Sequence, residues 1–203
     1  NNFYEALWPY NSIDGSTYGI PVGFTTHVLF YNKDLFAQAG VAEPTADWTW
    51  DDLQTAAKTI TDKTDATGFA FSMKPDPYDY EMFLWSNGAA YCDEEGELDG
   101  NLNSDKSQEV FEMFQDMEKD GYAVSTEGNG TDEFRAESAA MYIYGSWSIN
   151  DFKEDGLNFG LVDIPAFKDA GQDSVSILST SGIAMSKDSK HKEAAWEFVK
   201  FWT

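Results

Sequence analysis

Basic residues are scarce in this sequence. Thirteen Lys and Arg stand against 36 Asp and Glu, and the formal net charge over 203 residues is -23. A phosphate backbone needs a basic surface, so this balance argues against nucleic acid as a partner and disfavours an anionic lipid surface. There is a single arginine, Arg135, which leaves little scope for a bidentate clamp on a phosphate or carboxylate. With one cysteine, Cys92, neither an internal disulfide nor a cysteine-based zinc site can form. The two histidines, His27 and His191, are far apart and lack ligand spacing, so no metal site is expected. Nothing points to a cofactor. No apolar run approaches membrane-spanning length, and no signal peptide is recognisable. Gly-x-Ser-x-Gly elbows and phosphate-cradling glycine loops followed by Lys are missing too. Acidic pairs such as Asp51-Asp52 and Glu94-Glu95 carry no mark of the two opposed carboxylates that a glycosidase needs. No catalytic residue is therefore expected. The chain starts at Asn1 and stops at Thr203 just after an apolar helical segment, and it reads as a piece of a longer protein.

Aromatic residues are abundant, with seven Trp, ten Tyr and fifteen Phe. Such side chains fill cores, and they also build stacking platforms for ligands with flat apolar faces. With so few cationic groups, a neutral polar ligand such as a sugar fits this composition better than an anion.

Strand-like and helix-like segments alternate along the chain, which indicates an α/β architecture. Residues 1–20 are turn-rich. Val28 to Tyr31 is a compact apolar run, expected as a buried strand. Asn32 is placed to cap a helix from Lys33 to Ala39 that Gly40 ends. Thr49 opens a capping box with Asp52, and Leu53, Ala56, Ala57 and Ile60 share one face of the helix behind it. Gly68 to Ser72 reads as a strand stopped by Lys74-Pro75-Asp76-Pro77. Glu81 to Ser86 is helix-compatible, and Cys92 to Asn103 reads as an acidic surface hairpin or loop. Asn103 or Ser104 caps a helix with Val110, Phe111, Phe114 and Met117 in a stripe, closed by Gly121. Gly128-Asn129-Gly130 is a loop, and Asp132 to Glu137 a helical turn. Strands are expected at Ala140–Tyr144, Phe159–Ile164 and Ile183–Met185, with a short helix from Trp147 to Lys153. Ser189 is the expected cap of a last helix with Ala194, Ala195, Phe198 and Val199 on its inner face.

Three blocks carry a family resemblance. YGIPVGFTTHVLFYNKDLFAQAG (18–40), continued by TWDDLQTAAKTI, resembles the first signature of the extracellular solute-binding proteins of ABC sugar importers. FRAESAAMYIYGSWSI resembles the second, a strand ending at Gly-Ser-Trp. SGIAMSKDSKHKEAAWEFVKFW resembles the third, in family order. The likeness is to the maltose-binding type. It implies a type II periplasmic-binding-protein fold, mainly its C-terminal lobe. Residues 1–24 would then end the N-terminal lobe and cross the hinge. Residues 25–178 would form the C-terminal lobe, and 179–203 would return to the first. Most of the first lobe and a helical tail would lie outside these residues.

The resemblance implies a receptor without catalytic activity. It would bind an oligosaccharide between two lobes and deliver it to membrane permease subunits. It would work outside the cytoplasmic membrane, in a periplasm or as a lipoprotein on a single-membrane cell. Two alternatives stay open: the same fold binding a polyamine or other cation, drawn by the negative charge, and, more remotely, a carbohydrate hydrolase.

Trp147 follows the turn Gly145-Ser146 and is open to two readings, a core residue covering the sheet edge or a sugar-stacking ring. The resemblance favours the second, and it adds Ser146 beside it. Tyr78, in PDPYDYEMFLW, falls at the family's stacking tyrosine, although a loop tyrosine packed on its neighbours is equally open. Tyr80 and Trp85 are its substitutes. Thr25 and Thr26, before the buried strand, fall where the family often places a polar contact, although a hydroxyl bonded to its own backbone is commoner for Thr. Ser181 lies on the returning segment with Ser179 and Thr180, where a turn role competes with a ligand role.

Overall fold

The computed structural model describes residues 3–72, 74 and 76–203. The chain divides into two compact units, Asn1–Thr26 with Leu178–Thr203, and His27–Ile177. In chain order, two 3-10 turns (Glu5–Leu7 and Pro9–Asn11) precede β1 (Ser12–Ile13), β2 (Ser16–Thr17) and β3 (Ile20–Asn32). There follow α1 (Lys33–Ala39), α2 (Trp50–Lys63), β4 (Phe69–Phe71), α3 (Pro77–Ser86), α4 (Asp105–Lys119) and β5 (Ala123–Ser125). The rest comprises α5 (Thr131–Arg135), β6 (Met141–Gly145), α6 (Ser148–Glu154), β7 (Phe159–Val162), β8 (Leu178–Ile183) and α7 (Lys192–Trp202). Among the described residues, no helix is long and apolar enough to cross a membrane.

The larger unit is built on a mixed sheet in the order β5-β4-β6-β3-β7. β4 runs parallel to β5 and β6, whereas β3 is antiparallel to β6 and β7. Side chains alternate across a strand, and here that alternation sorts the core into two layers. Leu29, Tyr31, Met141 and Ile143 join one cluster with residues of α1, α2, α3 and α4. Phe30 and Tyr142 join the other with Phe134 of α5 and Phe152 of α6. Helices thus cover both faces of the sheet, and β4 (Phe69-Ala70-Phe71) is buried throughout, as a strand covered on both sides should be.

Local signals set the helix ends. Asn32 Oδ1 accepts from the backbone N–H of Asp34 and Leu35, and Gly40 closes α1 in the left-handed conformation. Thr49 and Asp52 form the expected capping box of α2. Ser104, rather than Asn103, caps α4. A Cβ on Gly68 would meet backbone atoms of Ala57 at 2.3 Å, so glycine is what lets α2 close on the start of β4.

Some expectations change. α3 begins at Pro77 and is capped by Asp76, so Tyr78 lies in a helical first turn and not in a loop. The stop expected at 74–77 falls partly outside the described residues, since Pro75 is not among them. No strand forms between Cys92 and Asn103, where successive turns carry the chain instead. β5 has no counterpart in the expected elements: it is three residues long, and its Ser125 end is exposed, too short for any periodicity to register.

In the smaller unit, Ile20–Thr26 of β3 pairs antiparallel with β8, with an irregularity between Pro21 and Gly23. Ser179, Thr180 and Ser181 are therefore strand residues and not a turn, and the last strand ends at Ile183 where the apolar pattern suggested a start. The reason is chemical: small polar residues pair readily when an existing strand supplies the ladder, and Thr180 Oγ1 also donates to Gly23 O at 2.9 Å. α7 begins three residues after Ser189, whose hydroxyl accepts from the His191 N–H. His191 stands at the N-cap without a side-chain bond. Of the expected inner face of α7, Val199 alone is buried, Ala195 is half-buried, and Ala194 and Phe198 are exposed, because the small unit offers no second layer for them to face.

Candidate functional site

β6 ends at Gly145, and the chain turns through Ser146 and Trp147 into α6. A Cβ on Gly145 would lie 2.0 Å from the Trp147 ring, so a glycine there is what allows the indole to fold back over the strand end. Trp147 nevertheless stays 42% exposed. Its ring meets Tyr144 edge to face at 5.0 Å and His27 at 5.6 Å. Tyr78, reaching from the first turn of α3, meets the same imidazole at 5.1 Å, and Tyr144 meets it at 5.5 Å. The structure thus brings both aromatic candidates, Trp147 and Tyr78, against one buried histidine. Edge-to-face geometry suits rings whose faces are electron-rich and whose edges are not.

His27 is 3% exposed and opens the part of β3 that enters the larger sheet, opposite Gly145. Its backbone is fixed by a reciprocal pair: its N–H donates to Ser176 Oγ at 2.9 Å, and the Ser176 hydroxyl donates to its carbonyl at 2.8 Å. Neither ring nitrogen has a hydrogen-bond partner in the protein. Burial lowers its pKa to about 4, so the imidazole is neutral at pH 7. It lines a cavity of about 10 Å³ together with Ser72, Asp79, Asn129, Tyr144 and the apolar residues beneath the platform. Burial raises the Asp79 carboxyl, with Asp76 adding to the effect and the Ser72 hydroxyl opposing it from 3.4 Å. Burial likewise raises Glu81.

The other candidates are placed as follows. Ser146 is half-buried in the turn, and its carbonyl accepts from the Ile149 N–H. Thr25, Thr26 and Ser181 lie on the β3–β8 ladder of the smaller unit, with Thr25 opposite Ser179 and Ser181 opposite Gly23. The two threonines are half-buried and Ser181 is exposed. Tyr80 is buried, and Trp85, like Tyr78, is half-buried against the core. Among the described residues no group of three or more His, Cys, Asp and Glu is arranged to hold a metal ion.

His27 and Tyr144 were not picked out in the sequence for this place. A signal existed for each. A lone histidine opening an apolar strand needs a reason to be buried. Alternation along Met141-Tyr142-Ile143-Tyr144 brings the last tyrosine to the strand end beside the Gly-Ser-Trp turn.

Over residues 1–203 the sequence matches the family of bacterial extracellular solute-binding proteins. The chain belongs to that family. It is 28% identical over 209 residues to a binding protein of Brucella abortus, covering 98% of this chain and 49% of that protein. Identity to the arabinooligosaccharide-binding protein of Bacillus subtilis is also 28%, over 99% of this chain and 48% of that one. Among solved structures, an ABC substrate-binding protein of Listeria monocytogenes in complex with cycloalternan superimposes with a TM-score of 0.83 at 28% identity, covering 98% of this chain and 51% of that one. The GacH receptor of Streptomyces glaucescens, solved unliganded and with acarbose, gives a TM-score of 0.82 at 27% identity, over 98% and 52%. The fold of these neighbours is the type II periplasmic-binding-protein fold expected from the sequence. The chain spans about half the length of the curated relatives it matches.

Proposed function

We propose that this chain is part of the substrate-binding component of an ABC importer for a carbohydrate, with an oligosaccharide as the favoured ligand. The Trp147 indole, 42% exposed, set over Gly145 and meeting Tyr144 and His27, with Tyr78 against the same histidine, is the observation that carries the reading. The C–H face of a pyranose stacks on such a ring while its hydroxyls bond polar side chains. The names of relatives support this: besides the arabinooligosaccharide binder, a galactooligosaccharide-binding protein of Bacillus subtilis is 26% identical over 93% of this chain. Residues 27–177 are proposed as the C-terminal lobe, and the remaining segments as the crossover and part of the N-terminal lobe. The working place is outside the cytoplasmic membrane, and the onward partners are permease subunits. No residue is assigned a catalytic role, and product release from a chromogenic glycoside would overturn that assignment.

Some relatives are named for sn-glycerol-3-phosphate, at 28% identity over 80% of this chain. The one arginine here is committed elsewhere, because Arg135 Nε donates to Asp155 at 2.7 Å, and this favours a neutral ligand over a phosphate ester. A cationic ligand, drawn by the net charge of -23, is the second reading.

The test is calorimetry of the full-length protein against arabinotriose, a galactooligosaccharide, maltotriose and spermidine, at low and high salt. A sugar should bind with little response to salt, whereas a cation should respond strongly. Trp147→Ala should cost the bound sugar more than about 1 kcal/mol. Unchanged affinity would remove Trp147 from the site. Alanine variants of Tyr78, Thr25, Thr26, Ser146 and Ser181 in the same titration judge each of the other candidates.

A further inference from the structure

His27 presents a physical puzzle. A buried neutral imidazole carries one N–H donor and one acceptor, and leaving either without a partner is costly. Both nitrogens are buried, and neither has a protein partner. Asn129 Oδ1, in the loop before α5, is buried and without a partner as well. Both side chains line the same cavity of about 10 Å³, and so do Ser72 and the Asp79 carboxyl. That volume is about what one water molecule needs, and a buried water is stable when it has two to four polar neighbours. The imidazole also touches Tyr78, Tyr144 and Trp147, each edge to face, at 5.1, 5.5 and 5.6 Å.

We propose that His27 is a positioning residue for the aromatic platform: one of its ring nitrogens is held by a water shared with Asn129 and Asp79 in this cavity, and its ring in turn fixes Tyr78 and Trp147, which pack against it. A packed aliphatic residue at 27 would fill space but would leave the cavity polar groups unbridged. A bare ring without nitrogens would keep the edge contacts and lose the anchor. The imidazole combines the two, because its neutral form pairs with water while its C–H edges and face meet the three rings. Any consequence for sugar affinity rests on the function proposed above, whereas the anchoring itself does not.

The first experiment therefore uses no ligand. In a long-range proton–nitrogen spectrum of the 15N-histidine-labelled chain at pH 7, His27→Phe assigns the His27 signals. We expect a single neutral tautomer whose ring N–H exchanges slowly and shows a cross-peak to one long-lived water. Averaging tautomers, or a ring N–H without that cross-peak, overturns the water anchor. The second experiment reads the Trp147 contribution to near-ultraviolet circular dichroism, defined as wild type minus Trp147→Ala. His27→Ala should abolish that difference, whereas His27→Phe should keep at least half of it. A full signal in His27→Ala overturns the positioning role, and the wild-type spectrum still judges the anchor if that variant fails to fold. The third experiment is the sugar titration described above. Weakening of about tenfold in His27→Ala, with partial rescue in His27→Phe, is the expected pattern. A loss in Trp147→Ala with none in His27→Ala overturns the positioning role and leaves the sugar reading standing. Should no sugar bind, the sugar reading fails, and the first two experiments alone decide the inference.

Discussion

In residues 27–177, Trp50 is enclosed by Phe83, Phe114 and Phe69, with ring centroids at 5.5, 5.3 and 6.1 Å, and only 2% of it is exposed. In the segments 1–26 and 178–203, Phe201 is 84% exposed, and Phe198 and Trp202 stack on each other at an exposed helix surface. The residue types are the same, and the difference is the number of layers. The larger unit supplies a sheet and helices for both of its faces. The smaller one supplies two short ladders and one helix, and among its described hydrophobic residues Leu7 and Val199 are the buried ones. Burial of aromatic area is what stabilises such a fold, so the two units should contribute very unequally to the stability of this chain.

The largest test of that inequality is a pair of truncations. Trp50→Ala should destabilise the chain by about 3–5 kcal/mol, read from urea unfolding followed by circular dichroism. Phe201→Ala should fall within about 0.5 kcal/mol of wild type. Equal effects would break the comparison, because they would mean that α7 is packed as tightly as α2.

The next test uses the histidines, one in each unit. Burial lowers the pKa of His27 from 6.5 to about 4, so the folded state holds the neutral form. Between those values the unfolded chain binds the proton and the folded chain does not, so stability rises with pH in that window. The contribution is fully present above the unfolded value and is lost as pH falls towards 4, by about 3 kcal/mol in all. Carboxylates titrate in the same range, so the quantity to measure is the difference between wild type and His27→Phe in urea midpoints from pH 7 to 4.5. The variant should lose less stability than wild type on acidification. Parallel curves would mean that His27 is solvated. His191→Gln, at the exposed start of α7, is the control in the smaller unit.

Legibility in the sequence follows the same division. α1 and the start of α2 could be read to within a residue, because Asn32, Gly40, Thr49 and Asp52 are local signals that act through their own neighbours. β8 and the buried face of α7 could not. Whether Ser179 to Ser181 turn or pair depends on the presence of Ile20–Thr26 alongside, and whether Phe198 is covered depends on a layer that the local pattern does not encode. The candidate site shows the same contrast. Trp147 and Tyr78 were legible through the motif around each. Their meeting at His27 was not, since β3, α3 and the β6 turn are distant in sequence: the register of β3 on β6 sets His27 beside the turn, and the packing of α3 brings Tyr78 to it.

The smallest effect separates the units at their helix starts. α7 has no side-chain cap, so His191→Ala should change stability by no more than about 0.5 kcal/mol. α1 depends on Asn32, which is 1% exposed, and Asn32→Ala should cost about 1–2 kcal/mol through the cap alone. Its Nδ2 also donates to Glu137 Oε2 at 3.0 Å, and this makes the choice of replacement informative. As N-caps, Asp and Ser serve about as well as Asn. At position 32, however, a carboxylate would face the exposed Glu137 where an amide N–H now donates, and two like charges at that distance repel. Asn32→Asp should therefore be less stable than Asn32→Ser at pH 7 in thermal unfolding, and Glu137→Gln should remove most of that gap. If Asp and Ser prove equal with Glu137 intact, the bond to Glu137 carries no weight, and the cap of α1 acts through its two backbone partners only.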